Sequence, residues 1–507
     1  MPAALLCGVL LYLSFPRWSL SLLAWVALIP LFFAIRNLTP RRRFLYGWIC
    51  GLVYFSGTLW WTTLSMHRYG GLSWATSVMG LILLAAYLAL YIGCFSVGAG
   101  AVLGQSSLDG LLYPPLLWVS LEYARGHLFT GFPWSSLGYS QYRLLPIVQI
   151  ADFSSVYGIG WIIVLVNTAL FRLIFAFRHR GAYPYVRREM GMAMTVLVLT
   201  WGYGFSRLHQ PMASQRGATI AVIQGNIPQD RKWDAAYRAQ TLERYRHLTE
   251  ISLAKKPDWV VWPESATPFF LEQDFVYQAT LSEWTRHRSF YLLLGSPSFE
   301  PAMPLKLYNS AYLLSPETQQ YSRYDKMHLV PFGEYVPPAF SFINKMAHGI
   351  GDFVPGRTAT VMNVKGIRFG TVICFEAIFP ELVRKFVDAG AEIMMAMTND
   401  AWFGDSPAAA QHFSMVVLRA VENRVAFARS ANTGISGFID AWGHILEETN
   451  LFVEDARVAR LSLANRKSFY TMYGDVFAMG CLILTLGMAT RMFYRTLKEL
   501  RLHKAGA

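Results

Sequence analysis

The chain has 507 residues, room for several domains, and is 54% hydrophobic but only 15% charged, well below the roughly 25% charge of ordinary soluble proteins. Its formal charge of +13 would suit nucleic acid, yet the basic residues gather beside apolar stretches, as they do at membranes. No basic recognition helix or base-stacking module appears, so nucleic acid is excluded as a partner.

A transmembrane helix needs about 20 predominantly apolar residues. Taken in chain order, Ala3–Phe15 comes first; it is short enough for a signal peptide, but lacks a basic leading region and a small-residue cleavage site and so reads as a span. Leu20–Ile35, Phe44–Met66, Tyr69–Leu108 and Leu111–Glu122 with its flanks follow, then Phe153–Phe171 and Met190–Ser206. Phe469–Thr490 closes the series. The expected fold is therefore a polytopic α-helical membrane domain of about eight spans, with seven in residues 1–210, a final helix at 468–490 and a basic tail at 491–507. Within it, Glu122 and Arg125 sit at a depth where ionisable groups are either functional or a structural ion pair. Trp134 and Tyr139 suit interfacial anchors.

Clusters of arginine and lysine set the orientation. Arg36 and Arg41–Arg43 follow the second span; Arg172, Arg178, Arg180, Arg187 and Arg188 follow the sixth; Arg491, Arg495, Lys498, Arg501 and Lys504 follow the eighth. With alternating spans all three clusters share one side, which is the cytoplasm. Residues 217–465, lying between spans seven and eight, then face the periplasm.

That stretch has the composition of a soluble α/β domain. Ala218–Ile227 reads as a strand, Ala235–Lys256 as a helix, Asp258–Trp262 as a buried strand stopped by Pro263, and Ser289–Ser296 as another strand. Thr360–Glu376 predicts a hairpin turning at Lys365-Gly366 and a strand running into Cys374. Phe379–Ala389 is helical, Ala391–Met397 a strand, and Ala408–Ala428 a long helix. Alternating strands and helices give a layered α/β domain.

Of the five cysteines, Cys7, Cys50, Cys94 and Cys481 lie in apolar spans, which leaves Cys374 alone in the polar domain and excludes a disulfide framework there. Three runs carry candidate chemistry. Trp262-Pro263-Glu264-Ser265 places a carboxylate at the edge of a buried strand, where partial desolvation favours a general base. Tyr324-Asp325-Lys326-Met327-His328-Leu329-Val330-Pro331-Phe332-Gly333-Glu334 sets a lysine in apolar surroundings. Val372-Ile373-Cys374-Phe375-Glu376 puts a thiol where a strand breaks into a helix, and a helix N-terminus with a nearby ammonium favours thiolate.

In the order Glu, Lys, Cys, and with Thr398-Asn399-Asp400-Ala401-Trp402-Phe403-Gly404, these runs resemble the nitrilase superfamily over residues 217–465. The resemblance implies an αββα sandwich. The whole layout, a nitrilase-like domain inserted before the last span, is similar to the apolipoprotein N-acyltransferases, which complete bacterial lipoprotein maturation. Phe129–Trp134, Gln224–Gln229 with Lys232-Trp233, and His328–Glu334 add to that likeness.

By this resemblance Glu264 is the general base, Lys326 the oxyanion stabiliser and Cys374 the nucleophile of a ping-pong transfer through a thioester. Trp233, Glu334 and Glu376 support activity, and Phe375 stands where many relatives carry tyrosine. Apolar loops at Tyr335–Ile343 and Trp402–Phe403, including Phe340, Phe342 and Phe403, would exclude water or simply pack. The implied partners are a phospholipid acyl donor, a diacylglyceryl-apolipoprotein acceptor and membrane lipid. The implied enzyme is a monomer of the bacterial inner membrane that needs no metal or organic cofactor. Two rival readings use the same residues: a membrane-tethered amidase, and a non-catalytic scaffold that binds lipoproteins.

Overall fold

The computed structural model describes residues 1–105, 107–178, 186–210, 216–303, 305–318, 320–337, 353–464 and 466–505. Arg180, Phe340 and Phe342 lie outside them. The chain divides into two compact units, Met1–Trp60 with Met79–Ser206 and Asp475–Ala507, and Trp61–Val78 with Arg207–Gly474.

The first unit is helical. Its elements are α1 (Pro2–Leu13), α2 (Ile29–Ile35), α3 (Pro40–Leu59), most of α5 (Trp74–Val102), α6 (Asp109–His127), α7 (Leu145–Val148), α8 (Ala151–Arg178), α9 (Val186–Leu208) and α15 (Val476–Ala505). α5, α8 and Val476–Arg495 of α15 are long and apolar enough to cross a membrane. Polar groups inside the unit are matched to one another. Asn167 accepts from the Leu28 N–H and donates to Ala24 O. Arg172 is fully buried and clamps Glu189 through two bonds of 2.7 and 2.6 Å, so this arginine belongs to the packed interior rather than to a loop cluster. Glu122 and Arg125 lie 3.8 Å apart and hold the following turn, since Glu122 accepts from Leu137 N–H and Arg125 donates to Trp134 O. Trp134 and Tyr139 are buried, 1% and 0% exposed. They pack the interior of this turn and are not surface anchors.

The expected span Phe44–Met66 is not one helix. α3 stops at Leu59, and α4 (Trp61–Arg68) groups with the second unit. The final stretch is also divided: Gly474, with φ +69°, separates α14 (Phe469–Tyr473) from α15, because only glycine adopts that backbone without strain.

The second unit is a four-layer α/β fold. One sheet has the order β12 (Asp455–Ser462), β1 (Gly217–Gln224), β2 (Trp259–Val261), β3 (Tyr291–Glu300), β4 (Lys306–Leu314), β5 (Tyr321–Asp325). The other has β11 (Ile445–Glu448), β10 (Gly437–Ile439), β9 (Phe427–Ala431), β8 (Ile393–Thr398), β7 (Ile367–Ile373), β6 (Met362–Val364). β1–β3 run parallel, as do β7–β9. The strands are apolar on both faces, the pattern of parallel sheets covered on each side. Tyr245 and Leu248 of α10 (Arg238–Leu253) and Trp284 of α11 (Phe275–Arg288) pack one outer face with Val260 and Leu292. α12 (Pro380–Asp388) and α13 (Ala408–Asn423) belong to the β7–β9 half. Between the sheets the rings of Trp259 and Phe369 stack 5.5 Å apart. Ser430 donates to Ile223 O.

The β6–β7 hairpin turns at Lys365-Gly366 as its sequence predicts. The long helix ends sooner than its apolar pattern suggests. Arg424 takes φ +53°, capping α13 at Asn423, and Phe427–Ala431 joins the sheet as β9. A short, fully buried strand and a buried helical turn have the same apolar signature.

Candidate functional site

Each candidate group stands just beyond the C-terminal end of a strand. Glu264 follows β2, Lys326 follows β5, Cys374 follows β7, and Asn399-Asp400 follow β8. Ligand sites of open α/β sheets characteristically occupy that end. Glu264 can sit close because residue 295 of β3 is glycine; a Cβ there would strike Pro263 O, Ser265 N and the Cα of Glu264 itself.

Lys326 is 1% exposed and Glu264 7%. Lys326 Nζ lies 2.9 Å from Glu334 Oε1 and 3.5 Å from Glu264 Oε1. Asn309 of β4 ties the two carboxylates together, donating from Nδ2 to Glu264 Oε1 at 2.7 Å and to Glu334 Oε1 at 2.8 Å. The Asn399 N–H donates to Glu264 Oε2 at 2.9 Å, and Val330 N–H to Glu334 Oε2 at 2.8 Å. Burial alone would depress the lysine, but Glu334 and Glu264 outweigh it and hold Lys326 protonated well above the ordinary lysine range.

Cys374 has φ +52°, a left-handed backbone unusual for a side-chain-bearing residue, and begins a short 3-10 turn, Cys374–Ile378. Its thiol feels the charges of Glu264, Lys326 and Asp400. Burial and the Glu264 carboxylate push it up to about 12, against the opposing pull of Lys326. Burial and Glu264 thus favour the thiol, in opposition to the helix start and Lys326, which favour thiolate.

The neighbours divide into two groups. Glu376 is fully buried and accepts from Tyr324 Oη, the N–H groups of Met327 and His328, and Ile373 N–H. It thus pins the lysine loop to the cysteine turn; burial raises it to about 7. Phe375 is buried with its ring against Phe379 and His328. Trp233, Trp402 and Phe403 form the second group, with Phe403 edge-on to the His412 ring at 6.4 Å between centroids. Trp233 is 52% and Trp402 41% exposed. Trp402 and Phe403 pack on Tyr69 and Trp61, with Ser65 Oγ donating to Trp402 O.

Several site residues carry no sequence signal of their own, and Lys232 shows in the sequence only as part of the Lys232-Trp233 run. Asn309 lies on a strand whose polar start hides it. Lys232, 2% exposed, donates to Glu264 O at 3.0 Å and is brought down to about 8, chiefly by burial. Behind Cys374 lie His412 and Arg429, whose only hint is charge inside apolar runs. Among the described residues no group of histidine, cysteine and carboxylate could hold a metal.

Residues 7–169 match the family Apolipoprotein N-acyltransferase N-terminal domain, and residues 219–470 match Carbon-nitrogen hydrolase. The apolipoprotein N-acyltransferase of Geobacter metallireducens is 45% identical over 500 residues, covering 97% of this chain and 95% of that protein. The chain belongs to the apolipoprotein N-acyltransferase family. The Methylococcus capsulatus apolipoprotein N-acyltransferase is 32% identical, covering 95% of this chain and 94% of its own length. An amidase from Nesterenkonia sp. AN1 is 19% identical, covering 50% of this chain and 96% of its own, with a TM-score of 0.37. Membership of the acyltransferase family extends over both units, and neither the amidase nor the scaffold reading is favoured by it.

Proposed function

We propose that this enzyme moves a fatty acyl chain from a membrane phospholipid, through a thioester on Cys374, to the α-amine of an N-terminal diacylglyceryl-cysteine on a lipoprotein. The observation that carries this reading is a half-buried Cys374 within electrostatic reach of the buried Glu264–Lys326 pair, in a chain that matches acyltransferases along nearly its whole length.

Glu264 takes the thiol proton as Sγ attacks the ester carbonyl carbon. A thiol held at about 12 needs such a base at the moment of attack. The carbonyl oxygen becomes an oxyanion facing Lys326 Nζ and the Phe375 N–H; one such donor is worth about 3–4 kcal/mol. Collapse breaks the ester C–O bond, and protonated Glu264 returns its proton to the departing lysophospholipid oxygen. In the second half the lipoprotein amine attacks the thioester carbonyl, its proton passes to Glu264, and the C–S bond breaks. Sulfur recovers the proton and leaves an amide, which is more stable than the thioester. Glu334 and Asn309 hold Lys326 and Glu264 in register, Glu376 fixes the turn behind the sulfur, and Trp233, Trp402 and Phe403 form apolar surroundings for the acyl chain.

Both substrates are anchored in lipid, which fits a chain of about eight spans with the 217–465 domain on the periplasmic face of a bacterial inner membrane, acting as a monomer. Incubation of purified enzyme with labelled phospholipid should give an acyl-thioester mass on the Cys374 peptide that is discharged by a diacylglyceryl-cysteine peptide. Acyl transfer retained by Cys374→Ala would end the proposal.

A further inference from the structure

Behind the cysteine turn lies a second polar cluster that the transfer chemistry does not use. Asp400, His412 and Arg429 are 2%, 1% and 0% exposed and come from three different elements: the turn after β8, α13 and β9. Arg429 Nη2 donates to Asp400 Oδ2 at 2.8 Å and reaches His412 Nδ1 at 3.2 Å, while its Nε donates to Ile435 O. Thr398 Oγ1 donates to Asp400 Oδ1 at 2.9 Å. The other ring nitrogen, His412 Nε2, lies 3.0 Å from the carbonyl oxygen of Cys374. Burial and the Arg429 charge lower His412, so the ring is neutral near pH 7. Nδ1 has both the Arg429 donor at 3.2 Å and Asp400 Oδ1 at 3.3 Å beside it, whereas Nε2 faces a carbonyl oxygen that can only accept, so the proton is assigned to Nε2, which donates to Cys374 O. Asp400 stays ionised, brought down to about 2 against burial chiefly by Arg429.

We infer that Asp400, Arg429 and His412 form a positioning chain that fixes the carbonyl of Cys374, and through it the left-handed backbone that aims the sulfur at Glu264 and the following N–H at the oxyanion. Three features converge on this. A residue with a Cβ keeps φ near +50° only where its surroundings over-determine it, and the His412 bond grips the peptide group immediately after that torsion. The histidine ring is fixed from its far side by a buried arginine, and the arginine by a buried carboxylate, so the grip is rigid rather than one side chain's choice of rotamer. Residue 434 is glycine in contact with Asp400, where a Cβ would collide with the carboxylate; the backbone is shaped around this ion pair. These are positioning residues, acting on the reaction through the Cys374 carbonyl. The inference rests on Cys374 being the nucleophile.

The test compares His412→Gln, whose amide can still donate to the carbonyl, with His412→Met, which fills the space and cannot. Acyl-adduct formation on Cys374 from labelled phospholipid should fall by about tenfold or more in His412→Met and stay within about threefold of the native rate in His412→Gln, as expected for a displaced attacking atom. Structures of the two variants should show Cys374 leaving the left-handed region in the first and keeping it in the second. Equal rates in both variants, or a Cys374 backbone unchanged in His412→Met, would overturn the inference. Should His412→Met fail to fold, Asp400→Asn keeps the shape and removes the charge that anchors Arg429. It should slow adduct formation by a similar factor, and a native rate in that variant is likewise contradictory. If the native chain forms no adduct at all, the acyl-transfer reading fails, while the backbone comparison still decides the positioning role.

Discussion

The chemistry of the site turns on a sulfur that is hard to ionise. Because the folded-state value of Cys374 is raised to about 12, the thiol form dominates at neutral pH. The thiolate fraction then climbs about tenfold per pH unit far beyond the range where a free cysteine, near 8.5, has levelled off. Alkylation of Cys374 by iodoacetamide, followed by peptide mass, should therefore keep rising past pH 10; a plateau below pH 9 would mean that the thiolate is stabilised after all. Replacing Lys326 with methionine removes the proposed oxyanion donor and the cation shared by Glu264 and Glu334, leaving Lys232, which donates to the Glu264 backbone carbonyl, as the cation nearby. The acylation rate should drop by about 10²-fold or more, and loss of stability should accompany it because two buried carboxylates then repel. A variant with native stability and less than about tenfold loss would remove Lys326 from the oxyanion role.

Strands and the turns beyond them decide where these groups stand. Gly295 shows how closely two elements must approach: Gly295→Ala would push the Pro263–Ser265 turn off β3 and move the Glu264 carboxylate. Acyl-adduct formation should fall by at least about tenfold although no reacting group is changed, as quenched-flow mass measurements would reveal. The strands leading into Glu264 and Cys374 are legible in the sequence because DWVVW and FGTVIC are short apolar runs ended by proline or by a turn. Glu264, Lys326 and Cys374 stand out together through the family resemblance of their runs, although Lys326 follows the polar strand YSRYD. What sequence could not disclose is pairing across distance. Asn309 and His412 acquire meaning only from the partners that folding brings to them, from 45 and 38 residues away. Trp134 and Tyr139 mislead in the opposite sense. Amphipathic aromatics suit a membrane interface, but here a buried Glu122–Arg125 pair gathers the turn inward and covers them. α13 is the remaining case, since an apolar helix running into a buried strand offers no change of composition at Arg424.

Sidedness is a property of the whole chain. Met303 is fully exposed in the second unit, and Lys498 is exposed on α15 beyond the apolar window. If the clusters of arginine and lysine face the cytoplasm, Met303→Cys should react with a membrane-impermeant maleimide in spheroplasts, over the background of the native cysteines. Lys498→Cys should react only after permeabilisation. The reverse pattern would invert the topology and with it the lipid-facing reading of the catalytic domain. One boundary has a practical bearing on such work. The short helix Trp61–Arg68 and the residues after it bear on Trp402 and Phe403, although some 140 residues of helical chain intervene before the strands begin. An expression fragment opening at Arg207 would strip those aromatics of their cover and leave a sticky, unsupported flank. The soluble-looking half of this polypeptide is thus not a detachable cassette, and efforts to study it alone should graft residues 61–78 back on.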